Sequence, residues 1–341
     1  MLQQIPWDQL LLAVMTMAVG VVGAIGYFWG ANWLLDKATS TEGLAGHDAV
    51  VRDRMRSGIR PWIFLFPALF FLTVYLVYPV FDTLRLSFYD SAGRNFVGWS
   101  NWMWAFRNSL FQQSVFNNVL WLIIVPTLST AFGLVIAVLA DRLWWGNIAK
   151  SLVFMPMAIS FVGASVIWKF IYDYRGPEAP QIGLLNAAIS AFGLEPQAWI
   201  TIPFWNSIFL MVILIWIQTG FAMVILSAAL RGIPEETLEA ARIDGASDIR
   251  IFFDIMIPQI MPTILVVWTT ITIVVLKVFD IVLAMTGGQW NTQVLANLMY
   301  DQMFRSNHFG HSSTIALVIM IAVLPIMIWN IRQVNKEQGT R

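Results

Sequence analysis

The 341-residue chain has no cysteine, which excludes a disulfide framework, a thiolate metal site and a cysteine nucleophile. Charge is scarce: Asp, Glu, Lys and Arg make up 12% of the residues, about half the share usual in a soluble domain. The two signs balance at twenty each, so nothing in the composition points to nucleic acid or to an acidic substrate. No Gly-x-x-x-x-Gly-Lys-Ser/Thr phosphate loop occurs, and no Gly-Lys pair of any kind, which leaves no P-loop site for ATP. No nucleophile–base pair stands out for catalysis. His308 and His311 sit three apart in "HFGH" without a third ligand nearby, so they read as solvated loop histidines rather than a metal site.

What is present is apolar. Hydrophobic residues make up 58% of the chain, with 24 Phe and 17 Trp, and the mean hydropathy is +0.69. A membrane-spanning helix needs about 20 mainly apolar residues to cross ~30 Å of hydrocarbon. Seven stretches qualify, at about 10–35, 62–81, 115–140, 151–173, 204–229, 263–286 and 313–331. Hydrocarbon offers no partner to a backbone N–H or C=O, so each is expected to be a helix. The expected fold class is an all-α polytopic membrane protein with lipid as its main solvent.

The distribution of Lys and Arg orients these spans. With the segment 36–60 inside, the inner loops 36–60, 141–150, 230–262 and 332–341 hold thirteen of them, against five in the outer loops 82–114, 174–203 and 287–312. This bias places the N-terminus outside and the C-terminus in the cytoplasm. The first span lacks a basic leader and a convincing cleavage site, so it reads as a retained helix rather than a signal peptide. Its Gly26-x-x-x-Gly30 pair is compatible with close helix approach, although glycine is also simply common in membrane helices. Residues 36–60, rich in Gly, Ser, Thr and charge, read as a linker. The outer loops carry Trp99, Trp102, Trp104, Trp199 and Trp290, read mainly as interfacial anchors.

One stretch breaks the apolar pattern. "EAARIDGASDIRIFFDIMIP", Glu239 to Pro258, carries four carboxylates and two arginines between two strongly apolar segments. Upstream, Pro234 suits a first helical turn, and Glu235 and Glu236 follow at the positive end of the helix dipole. Gly245 sits where a helix C-terminus wants a left-handed residue, and Ser247 is placed to cap a second helix. Ile251, Phe252, Ile255 and Met256 share one broad face, and Pro258 is expected to interrupt the pattern before the chain re-enters the membrane near Thr263. The expected result is a short helix, a glycine turn and an amphipathic helix at the inner surface. Ala240 and Ala241 would form a low-relief contact patch, with Glu239 beside it to pair with a basic partner.

Glu239-Ala240-Ala241, then Gly245, Ile255 and Ile257-Pro258, resembles the EAA motif of binding-protein-dependent ABC importer permeases, with Ile257 where leucine is more usual. "FPALFFLTVYLVYPVFDTLRLSFYD" (66–90), "FVGWSNW" (96–102), "FMPMAISFVGASVIWKFIY" (154–172) and "VFDIVLAMTGGQWNTQVLANLMY" (278–300) are similar to the sugar-permease branch typified by the maltose and glycerol-3-phosphate systems. The resemblance covers roughly 61–331. It implies the transmembrane domain of a type I ABC importer, a six-helix core with its coupling loop at 230–262. Outside the core lie an added N-terminal helix over 1–35, which resembles additions in an α-glucoside-type subgroup, the linker 36–60 and a tail over 332–341.

The resemblance further implies a bacterial inner-membrane subunit that is not itself an enzyme. ATP and Mg would bind two separate ATPase subunits, and a second permease and an extracytoplasmic solute-binding protein would complete the transporter. The ATPase-coupling residues would be Glu239, Ala240, Ala241, Arg242, Asp244, Gly245, Ile257 and Pro258. The cargo implied is an oligosaccharide, an α-glucoside or a polyol, with glycerol-3-phosphate or another polar solute as the alternative.

Asn117, Asn118, Trp168, Gln218 and Asn291 are candidates for the solute path, since a hydroxylated cargo needs hydrogen-bonding groups and aromatic faces; Thr219, Tyr75 and Tyr78 have weaker claims. Each such polar group is more often an interhelical hydrogen bond than a solute contact. Lys277 and Asp280, three apart in a span, read as a structural ion pair or a contact with the partner permease, and Lys169 as a snorkelling side chain. An ion-coupled secondary transporter would need several membrane carboxylates and an inverted repeat, neither of which is evident. A membrane anchor or sensor would need an attached signalling domain.

Overall fold

The computed structural model describes residues 7–40, 46–141, 143–176 and 178–339. Among them, β pairing is confined to an isolated antiparallel bridge between Tyr89 and Phe96. The chain forms two units, residues 1–82 and 83–341.

In the first unit, α1 (Trp7–Ala38) is followed by α2 (His47–Leu72), a π-helical turn (Thr73–Val77) and the start of α3 (Tyr78–Leu86). The apolar stretches of α1 and α2 bury no residue within the chain, as expected of helices solvated by lipid. The two helices meet through aromatic side chains. Tyr27 donates to the Ile63 carbonyl (2.9 Å), and Phe28 stacks on Phe64 with ring centroids 5.5 Å apart. Arg56 pairs with Asp36. A methyl group added at Gly26 or Gly30 would meet nothing within 4 Å, so this glycine pair is not a close approach within the chain.

The expected linker 36–60 is largely helical: α1 runs to Ala38 and α2 begins at His47, while 41–45 lie outside the described residues. The run from His47 to Arg60 interleaves Arg and Asp with Val and Met, and Asp48 favours the helix start, so charge here marks a solvated helix rather than a connection.

The second unit begins with the rest of α3 and the short α4 (Ser100–Arg107), followed by α5 (Ser109–Asp141), α6 (Gly146–Phe154) and α7 (Phe161–Ile171). Next come the short α8 (Leu184–Ala191), the long α9 (Trp205–Arg231), and α10 (Glu235–Ile243) and α11 (Asp248–Arg250) of the charged stretch. The chain finishes with α12 (Ile257–Leu276), α13 (Asp280–Met285), α14 (Leu295–Tyr300) and α15 (Phe309–Gly339).

The core is built around α9, whose Leu210, Met211, Ile213, Leu214, Met223 and Leu226 are fully buried against Trp121 and Val125 of α5 and Val267 and Ile271 of α12. Helices lack a hydrophobic drive to associate in lipid, so close packing of small residues matters more than in water. Gly133 of α5 is such a contact: a Cβ there would stand 2.5 Å from the Ala222 Cβ and 2.8 Å from the Met223 nitrogen of α9.

Among the described residues, six helices are long and apolar enough to cross a membrane, and a bent pair makes a seventh if counted as one span. That pair corrects the expected straight span at 151–173. The chain runs through a 3₁₀ turn (Met155–Ala158), breaks at Ile159 and Ser160, and resumes as α7 at 108°. Pro156 removes one backbone donor, and Ser160 starts the new helix by accepting from the Gly163 N–H (3.1 Å). The expected span at 263–286 likewise starts earlier, at Ile257, and ends at Leu276.

Gly133→Val is expected to destabilise the folded protein by about 1–3 kcal/mol through overpacking, whereas Gly23→Ala in α1, with nothing within 4 Å, leaves it unchanged. Thermal unfolding in detergent, comparing the two variants, checks this.

Candidate functional site

The charged stretch folds into a compact elbow. After Arg231, the three residues Gly232, Ile233 and Pro234 lead straight into α10. Pro234 occupies the N-cap position (φ −58°, ψ 132°), one place before the first helical residue rather than inside the first turn. The C-terminus of α10 is closed by two reversed hydrogen bonds, Gly245 N–H to Arg242 O (3.0 Å) and Ala246 N–H to Ala241 O (3.0 Å). This is the Schellman arrangement, and it requires the left-handed backbone that Gly245 adopts at φ +82°. Ser247 then accepts from the Arg250 N–H (3.4 Å) to start α11.

Pro258 does not end the helix that follows. A π-helical turn (Ile251–Met256) joins α11 to α12, giving one helical rod from Asp248 to Leu276. The wider turn bonds the Ile257 N–H to Phe252 O, five residues back. That leaves room for a proline ring that would press on the carbonyl four residues back in a regular α-helix.

The elbow has an inner and an outer face. Leu238, Phe252, Met256 and Ile257 pack on the core, and Ile251 is buried. Ala241 is also buried, at 8% exposure, so the two alanines do not form one contact patch. The outward surface instead presents Glu239, Ala240, Arg242, Asp244 and Gly245, together with Ile243, Ile249 and Phe253, which are 86%, 72% and 59% exposed. Three large apolar side chains held in the open beside a carboxylate give this face an apolar centre and a charged margin, the composition of a protein–protein contact surface. Behind it, Arg231, Glu235, Arg242 and Asp248 line a cleft of about 580 Å³.

The other end of the unit holds most of the solute-path candidates, and there the amides hold the backbone. Asn117 donates to the carbonyls of Asn291 and Gln293 (both 2.8 Å), and Asn118 accepts from the Leu295 N–H (2.8 Å). Trp290 and Asn291 both adopt positive φ (53° and 65°), and Asn206 fixes the Trp290 carbonyl at 2.5 Å. The Asn291 side chain is exposed, Gln218 is buried in α9, and Trp168 packs among Tyr172 and Trp216. In the turn after α3, Asp90 is held below the usual carboxylate range by the Arg94 N–H and the Asn95 side chain.

The outer tryptophans are not all anchors. Trp104 stacks on His311 (3.5 Å between centroids), which stacks in turn on His308 (3.4 Å). These histidines are therefore not solvated loop residues. His308 caps α15 by accepting the His311 N–H on Nδ1, and His311 Nδ1 meets Gln302. Burial holds His308 below the usual imidazole range.

Lys277 and Asp280 form no ion pair, because the helix stops between them: Lys277 ends α12 and Asp280 begins α13. Lys277 lines two cavities, about 510 Å³ with Phe279, Tyr300 and Phe304, and about 130 Å³ with Phe161 and Asp280. The five solute-path candidates chosen from sequence line neither cavity. Of the two readings of this charged pair, the ion pair is corrected: two charges inside an apolar run mark a helix break here.

Residues 103–331 match the family described as the binding-protein-dependent transport system inner membrane component. The chain belongs to this family. The permease is 64% identical over 333 residues to the alpha-glucoside transport system permease protein AglF of Rhizobium meliloti, covering 97% of this chain and 99% of that one. It is 50% identical over 279 residues to the osmoprotective compounds uptake permease protein GgtC of Synechocystis, covering 82% of this chain and all of that one. Its fold matches a chain of a bacterial ABC transporter involved in the import of the acidic polysaccharide alginate, with a TM-score of 0.71 at 18% identity over 83% of this chain and 99% of that one. The permease is thus an inner-membrane component of the importer class that its EAA motif resembles.

Asn117→Leu orphans two loop carbonyls, each worth about 1–3 kcal/mol when buried and unpaired. Its expected effect is a lower unfolding temperature. A variant whose solute affinity changes while its stability does not would contradict this structural role.

Proposed function

We propose that this permease carries an α-glucoside or a related oligosaccharide or polyol into the cytoplasm, driven by separate ATPase subunits. The observation that carries the choice of cargo is the 64% identity to a permease named for alpha-glucosides. An alignment covering 97% of 341 residues cannot omit the 32 residues of α1, so the likeness extends to the N-terminal segment.

In this reading the chain is one of two permease subunits and receives solute from an extracytoplasmic binding protein. The Lys and Arg bias puts the elbow 232–258 in the cytoplasm, N-terminus outside and C-terminus inside. Its outer face docks on an ATPase, with Ile243, Ile249 and Phe253 buried in the contact and Glu239 paired with a basic residue at the margin. Ala240, Arg242 and Asp244 flank that face, Gly245 sets its turn, and Ala241, Ile257 and Pro258 act behind it by fixing α10 to the rod. ATP and Mg bind the partner subunits; this chain hydrolyses nothing. ATP shifts the bundle between inward- and outward-facing states only to the extent that it binds one of them more tightly.

The solute path in this reading passes the helix break at Lys277–Phe279. Interrupted helices expose backbone and polar groups within a membrane protein where a cargo must be held. Phe279 and Tyr300, whose rings lie 5.3 Å apart, offer aromatic faces of the kind that sugars stack on. Lys277 favours a second reading, an anionic solute such as glycerol-3-phosphate, because an ammonium beside the path attracts a phosphate.

Two experiments test this. In proteoliposomes holding both permeases, the ATPase subunits and the binding protein, an α-glucoside is expected to raise ATP hydrolysis several-fold, and Lys277→Met to keep most of that response. Stimulation by glycerol-3-phosphate alone, lost in Lys277→Met, would select the anionic cargo. Glu239→Lys is expected to fold normally yet fail to retain the ATPase on co-purification; unchanged retention and unchanged uptake would remove the role given to Glu239.

A further inference from the structure

Three helices of the second unit carry a single charged residue each: Asp141 in the 33 residues of α5, Lys150 in the nine of α6 and Arg231 in the 27 of α9. The fold brings all three together. Asp141 Oδ1 accepts from Lys150 Nζ at 2.6 Å and from Arg231 Nη2 at 2.9 Å, while Asp141 Oδ2 accepts from the Ser227 hydroxyl at 3.2 Å. Lys150 Nζ also reaches the Ser227 oxygen at 2.6 Å. One carboxylate thus ties the last residue of α5, the middle of α6 and the last turn of α9. The Lys150 side chain is nearly buried, at 14% exposure, and Arg231 is open, at 63%.

Arg231 is the residue from which the elbow leaves. Only Gly232, Ile233 and Pro234 separate it from α10, and this link is stiff: Gly232 N–H bonds Ala229 O (3.1 Å), Ile233 N–H bonds Leu230 O (3.2 Å) and is buried, and Pro234 fixes its own φ. A displacement of α10 therefore arrives first at the end of α9, where the Asp141 carboxylate shares it with α5 and with α6, the first arm of the bent pair.

We propose that Asp141 is a positioning residue for transport, which makes the ends of α5, α6 and α9 move together with the elbow. It touches neither ATPase nor solute. This role rests on the reading of the elbow as the ATPase-coupling site and deepens it. Without the carboxylate, Lys150 and Arg231 lose the acid that they share, and α9 can shift while α5 and α6 stay behind.

The test uses the fully assembled transporter in proteoliposomes and reads solute taken up per ATP hydrolysed, a ratio that mere loss of folded protein does not move. Asp141→Asn is expected to keep ATP hydrolysis within about twofold of wild type and to lower the ratio at least about fivefold, with Asp141→Glu restoring most of it. If Asp141→Asn does not assemble, Arg231→Gln is the variant to read, because it leaves the Lys150–Asp141 pair intact; its ratio is expected to fall in the same direction. An unchanged ratio in the assembled variants, or uptake and hydrolysis falling in parallel with a lower unfolding temperature, overturns the proposal. A wild-type transporter whose ATP hydrolysis no solute alters overturns the functional reading itself, and this role with it.

Discussion

Hydrocarbon offers no hydrogen bonds, and the architecture of this permease follows from that constraint. A helix satisfies its own backbone, so polar groups need outside partners only where a helix stops or turns. At those places the chain supplies side-chain amides. Asn117 and Asn206 take the carbonyls of the 290–293 loop, and Asn101 takes those of Ser87 and Tyr89. Asn186 donates to Asp173 O and Gln197 O and accepts from Gln197 N–H and the Trp199 indole. Each does what a bound water would do in a soluble loop, but from a position fixed by a packed helix.

The same constraint shapes how prolines are accommodated. Pro79 and Pro258 each stand two residues after the end of a π-helical turn. The wider turn relieves the clash of the ring and keeps the rod running, so neither proline becomes a bend. Pro156 meets the opposite outcome, because its turn tightens to 3₁₀ and Ser160 starts a new helix at once. Which outcome follows depends on whether the next residues cap a helix or continue one, and Ser160 caps.

Periodicity and composition made the spans, the elbow and its glycine turn legible, because each rests on a local rule: twenty apolar residues, a serine cap, a left-handed glycine. Features set by tertiary context were not. Ala240 and Ala241 look alike in sequence, yet α10 packs with one facing out and the other in. Asn117 has the chemistry of a sugar-binding residue and of a loop clamp, and only the position of the 290–293 backbone assigns it the second partner. Lys277 and Asp280 sit at a spacing that pairs charges on a helix, but no helix joins them. The charge of Asp141 was visible at the end of its apolar run, whereas its meeting with Lys150 and Arg231 depends on how three helices pack.

A polar junction at that meeting point needs a reason, since an apolar one of the same shape would be at least as stable in many proteins. Apolar contacts are tolerant of sliding: a leucine shifted by an ångström finds new neighbours at little cost. A carboxylate holding a lysine, an arginine and a serine hydroxyl is directional, and displacing one helix alone breaks hydrogen bonds whose geometry the three helices fix together. Within α5, α6 and α9 there is no second charge to re-form the set in a shifted register; the nearby Glu235, Arg242 and Asp248 belong to the elbow, on the same cleft. Such a junction resists relative motion of its three helices while permitting their common motion. That is the mechanical property the proposed coupling needs where a three-residue link, Gly232 to Pro234, joins the elbow to the membrane bundle.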